Sequence, residues 1–393
     1  QSLADNTTAD CNVAVGYTAL RKNTTGTNNT SVGTFSLACN TTANDNTAIG
    51  YLSLCANTTG TENTAVGQKA LLNNTTCSSN TAFGSAAMCG NGTISGASNT
   101  SVGALALRCL TSGSENTAVG YYAGLKNSTA SGNSFFGVCA GYLTTTGVTN
   151  VAIGGNSFDA NTTGACNVAV GAGALGANTT SNHNTAIGYE ALAANTSGTG
   201  NTSVGFRSLK AVTGAGTDNS AVGCGALCRV TTGDGNVGMG YAAGNNVTTG
   251  NDNTILGRDA GRSSSPFNVT TESNRIVLGN NDVTNFYARV SLTVTSDLRD
   301  KTNFGTVPHG LDFVNKLEPV SFQFKKSRED DTPHGDVRYG FKAQDIMALE
   351  GDNPVIIDNE QPETLKYKGE HLVPVLVNAI KELTARVKEL END

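Results

Sequence analysis

The chain has 393 residues and a net charge of -7, enough length for two or three domains and too mild an acidity to imply a nucleic-acid partner. It contains no apolar run of roughly eighteen residues that could cross a bilayer, and residues 1–20 lack the basic and apolar regions of a signal peptide. An opening at Gln1 rather than Met points to processing.

Self-similarity organises everything up to about residue 260. Asn-Thr-Ala-Val-Gly and close variants recur with Gly at 16, 33, 50, 67 and 84, a period of seventeen. The series resumes after a two-residue insertion at Gly103, 120, 137, 154, 171, 188 and 205, and after one more residue at Gly223, 240 and 257. That makes fifteen turns, with a degenerate sixteenth ending at Gly279. The residue before each Gly is apolar (Val15, Ile49, Phe83, Phe136, Met239, Leu256), and the third after it is Ala or Ser. Such strictness predicts a stacked core. The fourth residue before Gly is Asn in all fifteen turns, placing an amide where it can bond to its equivalents above and below. The Asn-, Thr-, Gly- and Ser-rich remainder suits corners with positive φ. Each turn therefore reads as two short strands and two corners, and the stack as a rod about 70 Å long at roughly 4.8 Å per coil. An interior of Ala, Ser and Val is thin for one chain, which argues for lateral association.

Several residue sets ride on this rod. Seventeen Asn begin N-x-Ser/Thr sequons, and nine fall seven residues after the repeat Gly: Asn23, Asn40, Asn57, Asn74, Asn91, Asn127, Asn161, Asn178 and Asn195. They predict a glycan stripe along one column, and with it a secretory route. All ten Cys precede residue 295, more than a reduced scaffold needs, so an oxidising compartment with disulfides is expected. Cys39 with Cys55, and Cys89 with Cys109, fall on adjacent coils within reach of each other, and Cys224 and Cys228 share one turn. Cys11 and Cys166 share a phase nine coils apart. A metal site needs His or clustered Cys, and His183 is the one His of the rod, so no metal and no cofactor are expected. The carboxylates Asp45, Glu62, Glu115, Asp218 and Asp252 all sit five residues before a repeat Gly, on a solvated edge with no cleft in which a glycosidase pair could converge.

Charge shifts abruptly near residue 295, with 25 charged side chains before it and 32 in the last ninety-eight residues. The repeat dissolves through Asn274–Gly279 into alternating strands from Tyr287 to Val294, then reaches Thr295-Ser296-Asp297-Leu298-Arg299-Asp300-Lys301. Farther on come Gly340-Phe341-Lys342-Ala343-Gln344-Asp345, Tyr367 and Ala379-Ile380-Lys381-Glu382-Leu383. Leu376, Ile380, Leu383, Val387 and Leu390 alternate four and three apart, a two-heptad coiled-coil seam too short to be stable alone.

The rod motifs resemble the head repeats of trimeric autotransporter adhesins, left-handed parallel β-rolls packed as three chains, over residues 11 to about 260. The three ordered motifs after residue 296 resemble the peptidase S74 domain, the intramolecular chaperone of endosialidases and other phage tail fibres. That second resemblance implies a homotrimer that templates the upstream fibre and then cuts its own chain. It also implies Ser296 as nucleophile, Lys301 as its base, and Thr295–Ser296 as the scissile bond. Asp297 and Arg299 fit the motif as structural residues, and His309, His334 and His371 read as surface residues.

The expected fold is mainly β: a parallel β-solenoid of about fifteen 17-residue coils (1–261), a β-rich connector (262–295) and a small α+β chaperone domain ending in a coiled-coil helix (296–393). The expected role is an extracellular, homotrimeric structural fibre, glycosylated, without a membrane span. Its partners are copies of itself and a host-surface glycan or receptor. The alternatives are a viral tailspike that degrades polysaccharide and a non-enzymatic adhesin.

Overall fold

A computed structural model describes residues 1–263, 267–289, 296–325 and 328–392. It divides into two compact units, Gln1–Asn280 and Asn281–Asp393.

The first unit is a parallel β-solenoid. Sixteen three-residue strands, from β1 (Val13–Val15) to β16 (Ile276–Leu278), form one sheet in strict sequence order. Each residue pairs with its equivalent one coil on, as Ala48 with Ala65. The insertions leave this register intact. Phe83 pairs with Val102, Val204 with Val222 and Leu256 with Leu278, because the extra residues lie in the turns. The first part of the expected connector is thus the sixteenth coil.

Two expectations need correction. Each coil holds one strand, not two, and the rest of its path is turn. Besides the repeat Gly, three positions per coil take positive φ, as at Phe35 (φ 57°), Leu37 (φ 48°) and Asp45 (φ 60°). The apolar residue before each Gly does not form the core. Side chains alternate along a strand, so the small residue two before Gly (Ala48, Ala65, Ala82) is fully buried. Its larger neighbour points outward, leaving Val15 57%, Phe83 55% and Met239 51% exposed. The residue after Gly adds Tyr17, Tyr51, Tyr121, Tyr189 and Tyr241 to the same outward apolar stripe.

The core is completed by Ala or Ser three residues after Gly and by Leu four after it. Leu37, Leu54 and Leu107 are wholly buried in left-handed backbone at φ of 48–50°. That conformation costs about 1–2 kcal/mol for a non-glycine residue, and burying the side chain contributes about 1.5–3 kcal/mol, so burial wins. Where this position is Gly, another residue fills the space. A Cβ on Gly124 would lie 2.8 Å from the Phe135 ring, and one on Gly141 2.5 Å from it. The repeat Gly itself cannot vary: at Gly120 (φ +137°) a Cβ would come within 2.4 Å of the Gly137 carbonyl oxygen on the next coil.

Beside the apolar core runs the expected amide ladder. Asn46 Nδ2 donates to Asn29 Oδ1 (3.3 Å) and to the Gly60 carbonyl (2.9 Å), while Asn46 Oδ1 accepts from the Asn63 N–H (3.0 Å) and Nδ2 (3.1 Å). From Asn29 to Asn253 these side chains have no exposed surface. Each satisfies buried backbone groups in the turns that would otherwise be orphaned.

In the second unit, strands β17 (Val320–Lys325) and β18 (Pro333–Gly340) form an antiparallel hairpin with a register shift between Phe322 and Phe324. Helices α1 (Leu311–Val314), α2 (Ala343–Glu350) and α3 (Leu372–Asn392) surround a small core of Phe313, Ile346, Ile356, Ile357, Leu372 and Val375. Strands β19 (Ile357–Asp358) and β20 (Lys366–Tyr367) form a short second pair. One face of α3 is docked: Leu372, Val375 and Ala379 are buried, and Glu382 Oε2 accepts the Leu311 N–H at 2.7 Å. The next face is bare, with Ile380 63%, Leu383 50% and Leu390 76% exposed.

Candidate functional site

The Ser296–Lys301 segment folds back on itself. Leu298–Asp300 form one 3₁₀ turn, capped by Asp297, whose Oδ1 accepts the Arg299 N–H at 2.8 Å. The same carboxylate takes the Arg299 guanidinium as a fork, Nη2 to Oδ2 at 2.6 Å and Nε to Oδ1 at 3.1 Å. The Arg299 side chain, then its backbone N–H, holds the Asp297 carboxyl below its usual range. The Lys301 N–H closes the turn on the Leu298 carbonyl at 3.2 Å. Five residues apart in sequence, the Lys301 and Ser296 side chains meet: Nζ donates to Oγ at 2.6 Å.

Both residues are exposed in the single chain. In this contact the amine is the hydrogen-bond donor and the hydroxyl the acceptor, the reverse of the direction in which a general base acts. A base at this position must first lose its proton, and removal from water favours the neutral form of an amine. The chemistry open to the pair is therefore nucleophilic attack by Oγ, conditional on the segment being covered. Thr295, the other side of the expected scissile bond, lies outside the described residues.

The second and third motifs are architectural. Gly340–Asp345 is the junction between β18 and α2, and its Phe341 ring lies 5.9 Å from that of Tyr367. Glu350, at the end of α2, accepts the N–H groups of Val355 and Ile356 at 2.9 and 2.8 Å and so closes the loop that follows. Nothing in the spacing of Glu350 or Glu382 marked them beforehand. Each acts on backbone brought near only by the fold.

On the rod, the structure places the sequon column inside. Asn23, Asn40, Asn57, Asn74, Asn127, Asn161, Asn178 and Asn195 have no exposed surface. Most are rungs of a second ladder, as where Asn40 Nδ2 donates to Asn23 Oδ1 at 2.8 Å and Asn57 Nδ2 to Asn40 Oδ1 at 3.0 Å. A glycan on any of them cannot coexist with the folded coil, which corrects the expectation of a glycan stripe. Asn91 alone of the nine is exposed, because the two-residue insertion carries it off the column and Ile94 takes the inward place. The ladder stops there, leaving Asn74 Oδ1 buried without a donor.

In the structure none of the ten cysteines is joined by an S–S bond, the expected partners Cys39, Cys55, Cys89, Cys109, Cys224 and Cys228 included. Cys39 and Cys55 are neighbours, with the Cys39 N–H on the Cys55 carbonyl at 3.1 Å. Burial, then the proximity of Cys39, pushes the Cys55 thiol up and disfavours the thiolate that exchange requires. Cys11 and Cys166 are exposed. Asp45, Glu62, Glu115, Asp218 and Asp252 occupy one left-handed corner at φ of 55–60°. Among the described residues no group of three or more His, Cys, Asp or Glu could hold a metal ion, and no helix is long and apolar enough to cross a membrane.

Residues 296–354 match the family model Peptidase S74, described as the chaperone of endosialidase. No curated protein and no solved structure matches the chain.

Proposed function

We propose that the chain is the subunit of an extracellular homotrimeric fibre, whose C-terminal unit templates the trimer and then severs itself between Thr295 and Ser296. The observation that carries this reading is the 2.6 Å contact between Lys301 Nζ and Ser296 Oγ, lying at the start of the segment that matches the endosialidase chaperone. Trimerisation is supported by α3, which keeps Leu376, Ile380, Leu383, Val387 and Leu390 at heptad spacing on a face its own unit does not cover. The outward apolar stripe of the solenoid offers a second surface of the same kind.

Assembly buries the Ser296–Lys301 turn and favours the neutral amine. Ser296 Oγ then attacks the Thr295 carbonyl carbon as its proton passes to Nζ. The C–N bond breaks as the C–O ester forms, and Nζ returns the proton to the departing Ser296 nitrogen. Water opens the ester, leaving a carboxylate on Thr295 and a free amine and hydroxyl on Ser296.

Intact mass of the assembled protein beside Ser296→Ala and Lys301→Ala tests this. The natural chain should yield two pieces meeting at Thr295/Ser296, and each variant one piece of 40.2 kDa. A natural chain that trimerises and stays whole would refute the cut. A cut chain that remains monomeric would refute its dependence on assembly.

A further inference from the structure

Arg338 reaches across the expected cut. On β18, its Nη2 donates to the Thr284 carbonyl at 2.6 Å, and its guanidinium carbon lies 5.4 Å from the centre of the Phe324 ring. Phe324 is itself braced edge-on by Phe322, with ring centres 5.4 Å apart. Together with residues of the 281–286 segment, Phe324, His334, Gly335 and Arg338 enclose a cleft of about 230 Å³. One wall of this cleft precedes residue 296 and the other follows it. The segment from Val283 to Arg289 is in no strand, so no backbone ladder ties it to the hairpin. A charged donor on a carbonyl is among the stronger single hydrogen bonds, and here an aromatic face steadies the donor.

We infer that the β17–β18 hairpin is a clamp for the tail of the upstream product, with Arg338 as its principal grip. After the chain is cut, residues 281–286 stay seated against the hairpin, and the C-terminal unit leaves only when Arg338 lets go of Thr284. Release is then a second step, separate from peptide-bond cleavage. The inference rests on the proposed cut, and the experiment below separates the two.

Two full-length trimers are prepared with an affinity tag at the C-terminus. One is the natural chain. The other carries Ser296→Ala and a recognition sequence for an added protease within residues 291–294. If the natural chain stays whole, the proposed cut fails and the protease-cut trimer still tests the clamp. Cut material is immobilised by its tag, and loss of the solenoid piece is followed with time. The pieces should stay together with Arg338 present, and R338A should speed their separation roughly tenfold or more. R338A that elutes as a trimer before cutting has kept its fold. Should it not, an excess of synthetic peptide spanning residues 280–289, added after cleavage to the complex that retains Arg338, must displace the solenoid piece. Immediate separation of the natural pieces, equal retention in folded R338A, or a peptide without effect would each overturn the clamp.

Discussion

The amide ladder can be tested at Asn219, a rung that stands alone. Its Nδ2 donates to Asn201 Oδ1 (3.1 Å) and to the Gly233 carbonyl (2.8 Å), and its Oδ1 accepts from the Asn236 N–H (3.0 Å) and Nδ2 (3.1 Å). The inward position on the same coil as Gly233 is Val230, which cannot supply a substitute donor. Asn219→Ala therefore strands a buried carbonyl and a buried N–H, at about 1–3 kcal/mol each. We expect a loss of about 3 kcal/mol, which speeds local opening roughly a hundredfold. The assay is amide hydrogen exchange by mass spectrometry on peptides from residues 215–240. Contacts run only between neighbouring coils, so the effect should fade within two coils on either side. Asn57→Ala should cost less, about 1 kcal/mol, because Asn46 still donates to the Gly60 carbonyl that Asn57 also serves. Exchange around Asn236 that changes less than threefold, or that matches Asn91→Ala, would refute the ladder as a source of stability.

Phe135→Ala should cost about 3–5 kcal/mol by opening a cavity, and adding Gly124→Leu should restore part of it, read by thermal unfolding. A second substitution that only adds to the damage would show that Phe135 does not fill the space of the missing side chains. Peptide mapping of protein made in a glycosylating host should find a glycan on Asn91 and none on the other eight sequons of its column. The pH response of the Ser296–Lys301 turn follows from Asp297. Its folded pKa is depressed, so the clasp on Arg299 contributes fully above the ordinary carboxylate range and is lost as pH falls through the folded value. Hydrogen exchange at the Arg299 amide, corrected for its intrinsic pH dependence, should be flat from neutral to mildly acid pH and rise only below about 4. A rise near neutral pH would point to a different holding group.

How much of this was legible in the sequence follows from what periodicity does and does not report. Period and register were readable because every coil repeats the same stacking problem, and even the insertions marked themselves as shifts in the Gly series. Orientation was misread, since bulk suggested that Val15 or Phe83 faced inward. Where Leu occupies the interior, only a small residue, Ala, Ser or Gly, fits two residues before the repeat Gly, as at Gly238 against Leu227. The sequons were misassigned because Asn-x-Thr suits a glycan and a buried corner equally. The column nevertheless held the discriminating signal: its phase passes to Leu110, Thr144, Val212, Val230 and Val247, all buried, and a solvent-facing stripe would not take Leu or Val. The short spacing of Ser296 and Lys301 made their meeting plausible from motif alone. Arg338 had no such mark, because its partner lies 54 residues away in irregular chain.

The tolerance of the sheet for extra residues between Phe83 and Val102, and between Val204 and Val222, separates the length of the solenoid from the length of its surface turns. Whole coils can be gained or lost while every surviving strand keeps the kind of neighbour it had. Surface excursions can likewise lengthen at one turn without propagating to the next. The number of coils and the chemistry of their outer surface can thus vary independently in the same molecule.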